Sequence, residues 1–420
     1  MQPFLQIIMN KNERIILFLL ACINFTHILD FMILMPLGNY LMPYFNITTT
    51  QFSFLVGAYT LSAAFSGFTA AFFVDGFDRK KVLLFAYSGF LLGTLACGIA
   101  PTYHLLLAAR ILAGLFGGLI GAQVLSIISD VFVYERRGKA MGAVMSAFAI
   151  ASTFGVPFSL YLANLFSWHA PFIFVAIVGT ILIPLIQKYV PAIDHHLQNK
   201  SEKKSPFEAL HIIREDRNLI LALTFSGLVM LGHFLIIPFI NPYMEFNNGF
   251  SKQLTPMIYL VGGIASFISA NILGRISDKY GKLKVFSICI FISLPLVIGV
   301  THVPAIPFWI ILVMFAFWFT VATGRGVTAQ AMISNAVQAK HRGSFMSFNS
   351  SVQQLGTSIA SLVAGVIVIK ENDGKLHHYK WLGYLSVVVL LACLFLGRYI
   401  FKKENYSTSQ LSEDNISELI

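Results

Sequence analysis

The chain has 420 residues, of which 56% are hydrophobic and 11% charged, with a formal net charge of +10. Soluble domains carry roughly 25% charged residues, and one or two soluble cores cannot hide so large an apolar share, so a soluble globular protein is excluded. The positive balance sits in short connections between apolar runs. No basic domain exists to hold a nucleic acid, and none is expected as a partner.

Taken in chain order, apolar runs cover approximately 14–40, 50–74, 82–100, 104–129, 140–165, 169–190, 218–242, 253–275, 284–302, 305–333, 343–369 and 381–401. Crossing about 30 Å of hydrocarbon takes about 20 residues as a helix. Backbone polar groups in lipid must be satisfied within the segment, and the alternation of a barrel is lacking, so the runs are predicted to be helices. The expected fold is an all-α polytopic membrane protein of twelve spans. The first run begins near Arg14 and is too long for a signal peptide. Cys22, Cys97, Cys289 and Cys393 all lie inside apolar runs without ligand spacing, so neither disulfides, a metal site nor a cofactor is expected.

Basic residues mark one side of the membrane. Lys11 and Arg14 precede span 1; Arg79, Lys80 and Lys81 follow span 2; Arg136, Arg137 and Lys139 follow span 4. Lys279, Lys282 and Lys284 follow span 8, Lys340 and Arg342 follow span 10, and Lys402 and Lys403 follow span 12. The other side has only Lys252, Lys370, Lys375 and Lys380. Both termini are therefore expected in the cytoplasm. The long polar connection, which holds Lys200, Lys203 and Lys204, divides the chain into a six-helix bundle over 1–190, a linker over 191–217 and a second bundle over 218–402, followed by a tail over 403–420. Within the linker, "PFEALHIIRED" has the pattern of an amphipathic surface helix.

The two bundles repeat one another. "AAFFVDGFDRKKVLL" after span 2 returns as "ANILGRISDKYGKLKVF" after span 8, with Asp75 and Asp278 203 positions apart. At the same offset, Asp30 leads "DFMILMP" and His233 leads "HFLIIP". "SDVFVYERRGKAM" after span 4 matches "SNAVQAKHRGSFM" after span 10 at an offset of 205. Spans 1, 2 and 4–5 thus align in order and orientation with spans 7, 8 and 10–11. Parallel six-helix halves of this kind place a binding site near the midplane between them.

On these motifs the chain resembles the major facilitator superfamily of transporters over nearly its whole length. Gly274, Asp278, Lys279, Gly281 and Lys282 resemble the family's Gly-x-x-x-Asp-Arg-x-Gly-Arg-Lys turn; the first copy keeps Asp75, Arg79 and Lys80 but has Ala71, Gly76 and Asp78 at other motif positions. "RILAGLFGG", with Arg110 and Gly114, is similar to the span 4 signature. "ASTFGVPFSLYLA", with Gly155 and Pro157, is similar to the span 5 signature of the antiporter branch, although Ser159 and Leu160 replace its closing glycines. The nearest likeness is to drug and sugar efflux members, the arabinose-efflux-like group. The resemblance implies a latch formed by Asp75, Arg79, Lys80 and Asp130, and a weaker second one from Asp278 and Lys282, whose partner position is Asn335.

Ionisable residues inside spans mark function, because each is costly in hydrocarbon. Asp30 lies about 15 Å from the outer end of span 1, near the midplane, with His27 one turn away on the same face. Arg110 of span 4 is long enough to reach toward Asp30. Asp30 is expected to carry the coupling proton with Arg110 and His27 beside it; a static ion pair joining the two spans is the competing reading. His233 and Arg325 are expected at a substrate cavity, against a packing role for the histidine and a backbone-carbonyl partner for the arginine. Asn24, Gln123, Asn349 and Gln353 are further polar candidates, with hydrogen bonding between helices as the plainer role. Trp309 and Trp318 are candidates for an apolar cavity wall.

The expected function is proton-coupled efflux of a small molecule by a monomer in the bacterial inner membrane. With no nucleotide-binding loop, the proton gradient is the energy source. A drug, sugar, siderophore or metabolite fits equally, and uptake by proton symport remains an alternative. A membrane-embedded enzyme or sensor lacks support, since no metalloprotease motif, nucleophile elbow or signalling domain is present.

Overall fold

A computed structural model describes residues 10–193, 206–304, 306–337, 342–371 and 373–402. Almost all of it is helix. Span 1 is Lys11–Ile33, continued after a turn by Gly38–Phe45; span 2 is Thr49–Phe73, span 3 Arg79–Gly98 and span 4 Tyr103–Val131. Span 5 is Tyr134–Ile150, a π-helical turn Ala151–Gly155 and Val156–Leu165; span 6 is Ala170–Tyr189. After a short helix Pro206–Glu215, span 7 is Arg217–Phe234 continued by Ile237–Phe246, and spans 8 to 10 are Pro256–Tyr280, Lys282–Thr301 and Phe308–Asn335. Span 11 is Arg342–Ile367 and span 12 Tyr379–Phe401, joined by a small hairpin of Ile369–Lys370 and Leu376–His377.

Eleven of these segments are long and apolar enough to cross a membrane. Span 11 is the most polar, interrupted by Asn349, Gln353, Gln354, Thr357, Ser358 and Ser361. These residues avoid lipid: Asn349, Thr357, Ser358 and Ser361 are buried. The outer surface is apolar instead, with Phe18, Phe65, Phe85, Val388 and Phe395 exposed, the polarity expected of a bundle whose solvent is hydrocarbon.

Three spans are interrupted, and proline accounts for each. Pro36 lies in the turn that splits span 1, and Pro238 opens the second segment of span 7. Proline lacks a donor N–H and disfavours a helical residue before it. The turn takes four residues in span 1 and two in span 7. In span 5, Pro157 follows the π-helical turn; widening the helix by one residue there relieves the clash of the proline ring with the preceding turn.

The packing follows the repeat. Span 1 lies on spans 5 and 6 as span 7 lies on spans 11 and 12; span 4 lies on spans 2 and 3 as span 10 lies on spans 8 and 9. The halves meet along two seams, span 2 with span 11 and span 5 with span 8, which a two-fold rotation exchanges. Glycines allow the close approaches. A Cβ on Gly114 would strike Ser62 and the Tyr59 backbone, one on Gly155 would come to 2.7 Å from Leu29, and one on Gly263 would strike Thr153 across a seam.

Hydrogen bonds between the halves gather at the end opposite the basic loops, called here the far end. Asn39 Nδ2 donates to Glu245 Oε2 (2.6 Å), and Asn241 Nδ2 donates to the carbonyl of Pro36 (2.8 Å). Thr49 and Thr50 donate to the carbonyls of Val368 and Gly365 (2.5 and 2.8 Å), and Asn164 donates to the carbonyl of Lys252 (3.0 Å). At the basic end the span 2–span 11 seam is apolar, with Phe68 on Phe348 at 5.5 Å between ring centroids. The helix Pro206–Glu215 packs there against spans 7, 11 and 2.

Candidate functional site

The predicted residues fall into two mid-bundle clusters, one in each half, and a set of surface contacts. In the N-terminal half, Arg110 Nη1 donates to Asp30 Oδ2 at 2.8 Å, and both side chains are fully buried. The guanidinium lies 4.2 Å from the centre of the Tyr59 ring, so an aromatic face from span 2 supplements the carboxylate from span 1. His27 packs edge-on against Phe90 at 5.7 Å and beside Tyr59 at 6.4 Å. Gly117 makes room for this group, since a Cβ there would stand 2.7 Å from Tyr59 Oη and 3.1 Å from His27 Nε2. Buried polar atoms ordinarily find partners. Here Asp30 Oδ1, both His27 nitrogens, Tyr59 Oη and Arg110 Nε and Nη2 have none among the described residues.

In the C-terminal half, Arg325 is buried in span 10. Its Nη2 donates to His233 Nδ1 of span 7 at 3.2 Å. A guanidinium only donates, so Nδ1 accepts and the ring hydrogen of His233 sits on Nε2. The imidazole stacks on Trp318 with centroids 5.4 Å apart. Among the described residues no carboxylate pairs with Arg325. Arg325 Nη1 and Trp318 Nε1 are buried without partners among the described residues.

The remaining polar candidates divide. Asn24 Nδ2 donates to the Val144 carbonyl at 3.0 Å and ties span 1 to span 5. Gln353 Nε2 donates to Ser226 Oγ (3.0 Å) and Gln330 Oε1 (3.1 Å), joining spans 11, 7 and 10. Asn349, one turn away, is buried with neither amide atom partnered among the described residues, and Gln123 is buried with Oε1 likewise unpartnered. Trp309 is exposed on the outer surface, whereas Trp318 is fully buried.

The two charged turns differ in how they are held. Arg79 forms an ion pair with Asp130, Lys80 Nζ donates to the Gln187 carbonyl at 2.8 Å, and Asp78 caps span 3 and accepts from Ile193 N. The Asp75 side chain lies outside the described residues. In the second turn, Lys282 stands 3.9 Å from Asp278, whose side chain is 72% exposed.

Several residues of these clusters are not singled out by the sequence. Tyr59 and Gly117 carry no ionisable signal, and their role rests on contacts between spans. Asn39, Asn241 and Glu245 are within its reach: three residues past Pro36 and Pro238, the repeat brings Asn39 opposite Asn241. In the structure these repeat mates meet, with Asn241 Nδ2 3.4 Å from Asn39 Oδ1. Glu245 clamps the contact, accepting from Asn39 and from Thr255 Oγ1 at 2.9 Å.

Comparison with known proteins agrees with this architecture. Residues 20–328 match the family profile described as Major Facilitator Superfamily. The chain is 25% identical over 368 residues to the uncharacterized MFS-type transporter YceJ of Bacillus subtilis strain 168, covering 86% of this chain and 90% of YceJ. It is 22% identical to multidrug resistance protein 2 of the same organism, covering 91% and 94% of the two chains. Among solved structures, it is similar to a bacterial homolog of the human lysosomal transporter Spinster in an inward-facing, unoccupied conformation, with a TM-score of 0.74, 16% identity and coverage of 94% of this chain and 98% of that one. The family and these structural relatives are transporters, not enzymes.

Proposed function

Since the chain belongs to the Major Facilitator Superfamily of membrane transporters, we propose that it exports a small molecule in exchange for protons, with Asp30 as the proton-carrying group. The observation that carries this reading is the fully buried Asp30–Arg110 pair, in which one carboxylate oxygen holds Arg110 and the other has no partner among the described residues. Ionised, Asp30 binds span 1 to span 4 through a charge-assisted bond. A proton on Asp30 removes that charge and leaves Arg110 held by the face of Tyr59 alone. The relative positions of spans 1 and 4 then depend on protonation, which is what coupling requires. His27 and Tyr59 stand beside the pair as polar groups through which a proton can pass.

The excess of basic loops supports a plasma-membrane orientation with both termini in the cytoplasm. The sealed far end then faces outward, and the central site loads from the cytoplasm. Opening outward requires the Asn39–Glu245 and Asn241–Pro36 bonds to part. In this reading the bundles over 1–190 and 218–402, joined through the linker over 191–217, rock against each other. The first charged turn, through Arg79, Lys80 and Asp130, ties span 3 to spans 4 and 6 and lets the first bundle move as a unit. Export is supported by the glycine–proline π turn at Gly155 and Pro157, which resembles the antiporter signature, and by similarity to a relative named as a multidrug resistance protein. A monomer suffices, since both clusters are complete within one chain.

Purified protein in liposomes with an imposed pH gradient tests the proposal. Solute-dependent proton flux that Asp30→Asn abolishes is the expected result. Full proton-driven transport in Asp30→Asn contradicts the assignment of Asp30, and chemical conversion of solutes without flux contradicts transport.

A further inference from the structure

Asp30 and His233 are repeat mates, and each faces an arginine, yet only one arginine has a carboxylate. Arg110 is neutralised by Asp30. Arg325 is equally buried, and the side chain opposite it is an imidazole that accepts a single hydrogen bond. A buried, unpaired charge is the costliest group a membrane protein can hold.

The cluster consists of donors. Arg325 Nη1–H and Trp318 Nε1–H are buried without acceptors among the described residues, and the third donor is the Nε2–H that the Arg325 bond leaves on His233. His233 stacks on Trp318 and bonds to Arg325, so it joins the other two side chains, with its own Nε2–H directed away from Arg325. His233 is half-buried at its mid-span position, while Arg325 and Trp318 are fully buried behind it. Two buried, unpartnered N–H donors, one of them on a cation, beside aromatic rings match one chemistry: an oxyanion on a partly apolar molecule.

We propose that Arg325, His233 and Trp318 receive a carboxylate of the transported solute, making the substrate an organic anion. The solute carries the charge that Asp30 supplies in the other half. This rests on the transport reading and adds the substrate class to it. The guanidinium supplies charge and a fork of donors that suits a planar carboxylate, His233 orients that fork, and Trp318 offers its N–H and its ring.

The test uses the full chain in detergent and heat stability as the readout. The probes are the sodium salts of benzoate, phenylacetate and octanoate, each compared with its neutral amide and with sodium chloride at equal concentration. Saturable stabilisation by at least one carboxylate, about tenfold or more stronger than by its amide, is expected for a site built around a charge. Arg325→Gln should abolish it, and Arg325→Lys should keep the preference at lower affinity. His233→Asp is the decisive variant, because it recreates the Asp30–Arg110 arrangement. The protein should fold and be at least as heat-stable, while carboxylate binding falls about 10- to 100-fold. The proposal is overturned if no carboxylate stabilises saturably, if amides or chloride act equally, or if His233→Asp binds like the parent. Coupling is read separately, as proton flux in liposomes driven by benzenesulfonate, an anion that does not carry protons across lipid. Carboxylate binding without such flux upsets proton coupling alone, and equal flux with benzenesulfonamide upsets the anion site alone.

Discussion

The two halves share a plan and solve one electrostatic problem in opposite ways. In each, an arginine of the fourth span of the half faces the same position of the first. The arginines are not repeat mates: at the offset of 205, Arg110 corresponds to Phe315 and Arg325 to Ile120. Ten residues of helix separate the two positions, about 15 Å. Arg110 sits near the far end of its span and Arg325 nearer the basic end, so the long side chains reach the same depth from opposite directions. A guanidinium facing a mid-span side chain is thus achieved twice by different residues. The halves differ in charge, with a closed, neutral ion pair in the first and an open cation in the second. On the function proposed above, one half would respond to protons and the other to a solute.

The largest effect expected from breaking this comparison is in the first half. Arg110→Met leaves Asp30 buried and unpaired and should destabilise the protein by about 3–5 kcal/mol, seen as loss of folded protein in thermal unfolding. The corresponding Arg325→Met removes a charge that no carboxylate pairs, so it should cost less or even stabilise. Equal losses for the two would erase the distinction. Next is Gly117→Ala, whose methyl would crowd Tyr59 Oη at 2.7 Å; overpacking of about 1–3 kcal/mol should appear in heat stability together with altered proton coupling, whereas Gly326→Ala in span 10, with nothing within 4 Å of the added Cβ, should leave both unchanged.

Glu245→Gln weakens the charge-assisted bond to Asn39. A loss of about 1.5 kcal/mol is roughly a tenfold shift toward the far-open state, measurable as faster labelling of a cysteine introduced at Phe52, buried against Phe239 of the other half. Unchanged labelling removes Glu245 from the closure. The smallest effects are at the charged turns. Asp278→Asn breaks a long, exposed contact and should change stability by less than about 0.5 kcal/mol. Arg79→Gln removes the Asp130 partner from a better-held turn and should produce the larger change in state-dependent cysteine accessibility.

Much of this plan is legible in the order of the amino acids. Hydropathy locates every span but the polar eleventh, whose place the repeat supplies; the repeat also places Asp30 opposite His233, while depth in the membrane singles out both arginines. Depth brings Arg110 within reach of Asp30, but both arginines reach that level, and packing decides which of them meets the carboxylate. Asn24 and Gln353 show what depth does not reveal: both lie mid-span and are polar, yet they bond neighbouring helices. The face a side chain presents depends on helix rotation, which tertiary packing sets. Tyr59 is silent for the same reason, because a tyrosine in an apolar span is ordinary until an arginine lies on its ring.

The sequence by itself determined the class, the twelve spans, the duplication and the residues that bear the cost of charge in lipid. These are local or periodic properties, governed by transfer of each segment into hydrocarbon. Only the tertiary structure decided which charges are paired. The Asp30–Arg110 bond, the Asn39–Asn241 meeting at the far end and the histidine that stands in place of a carboxylate at Arg325 join residues 80, 202 and 92 positions apart. Contacts at such separations depend on how helices rotate and cross, which in lipid is settled by close packing at small residues and by the few polar groups that must find partners.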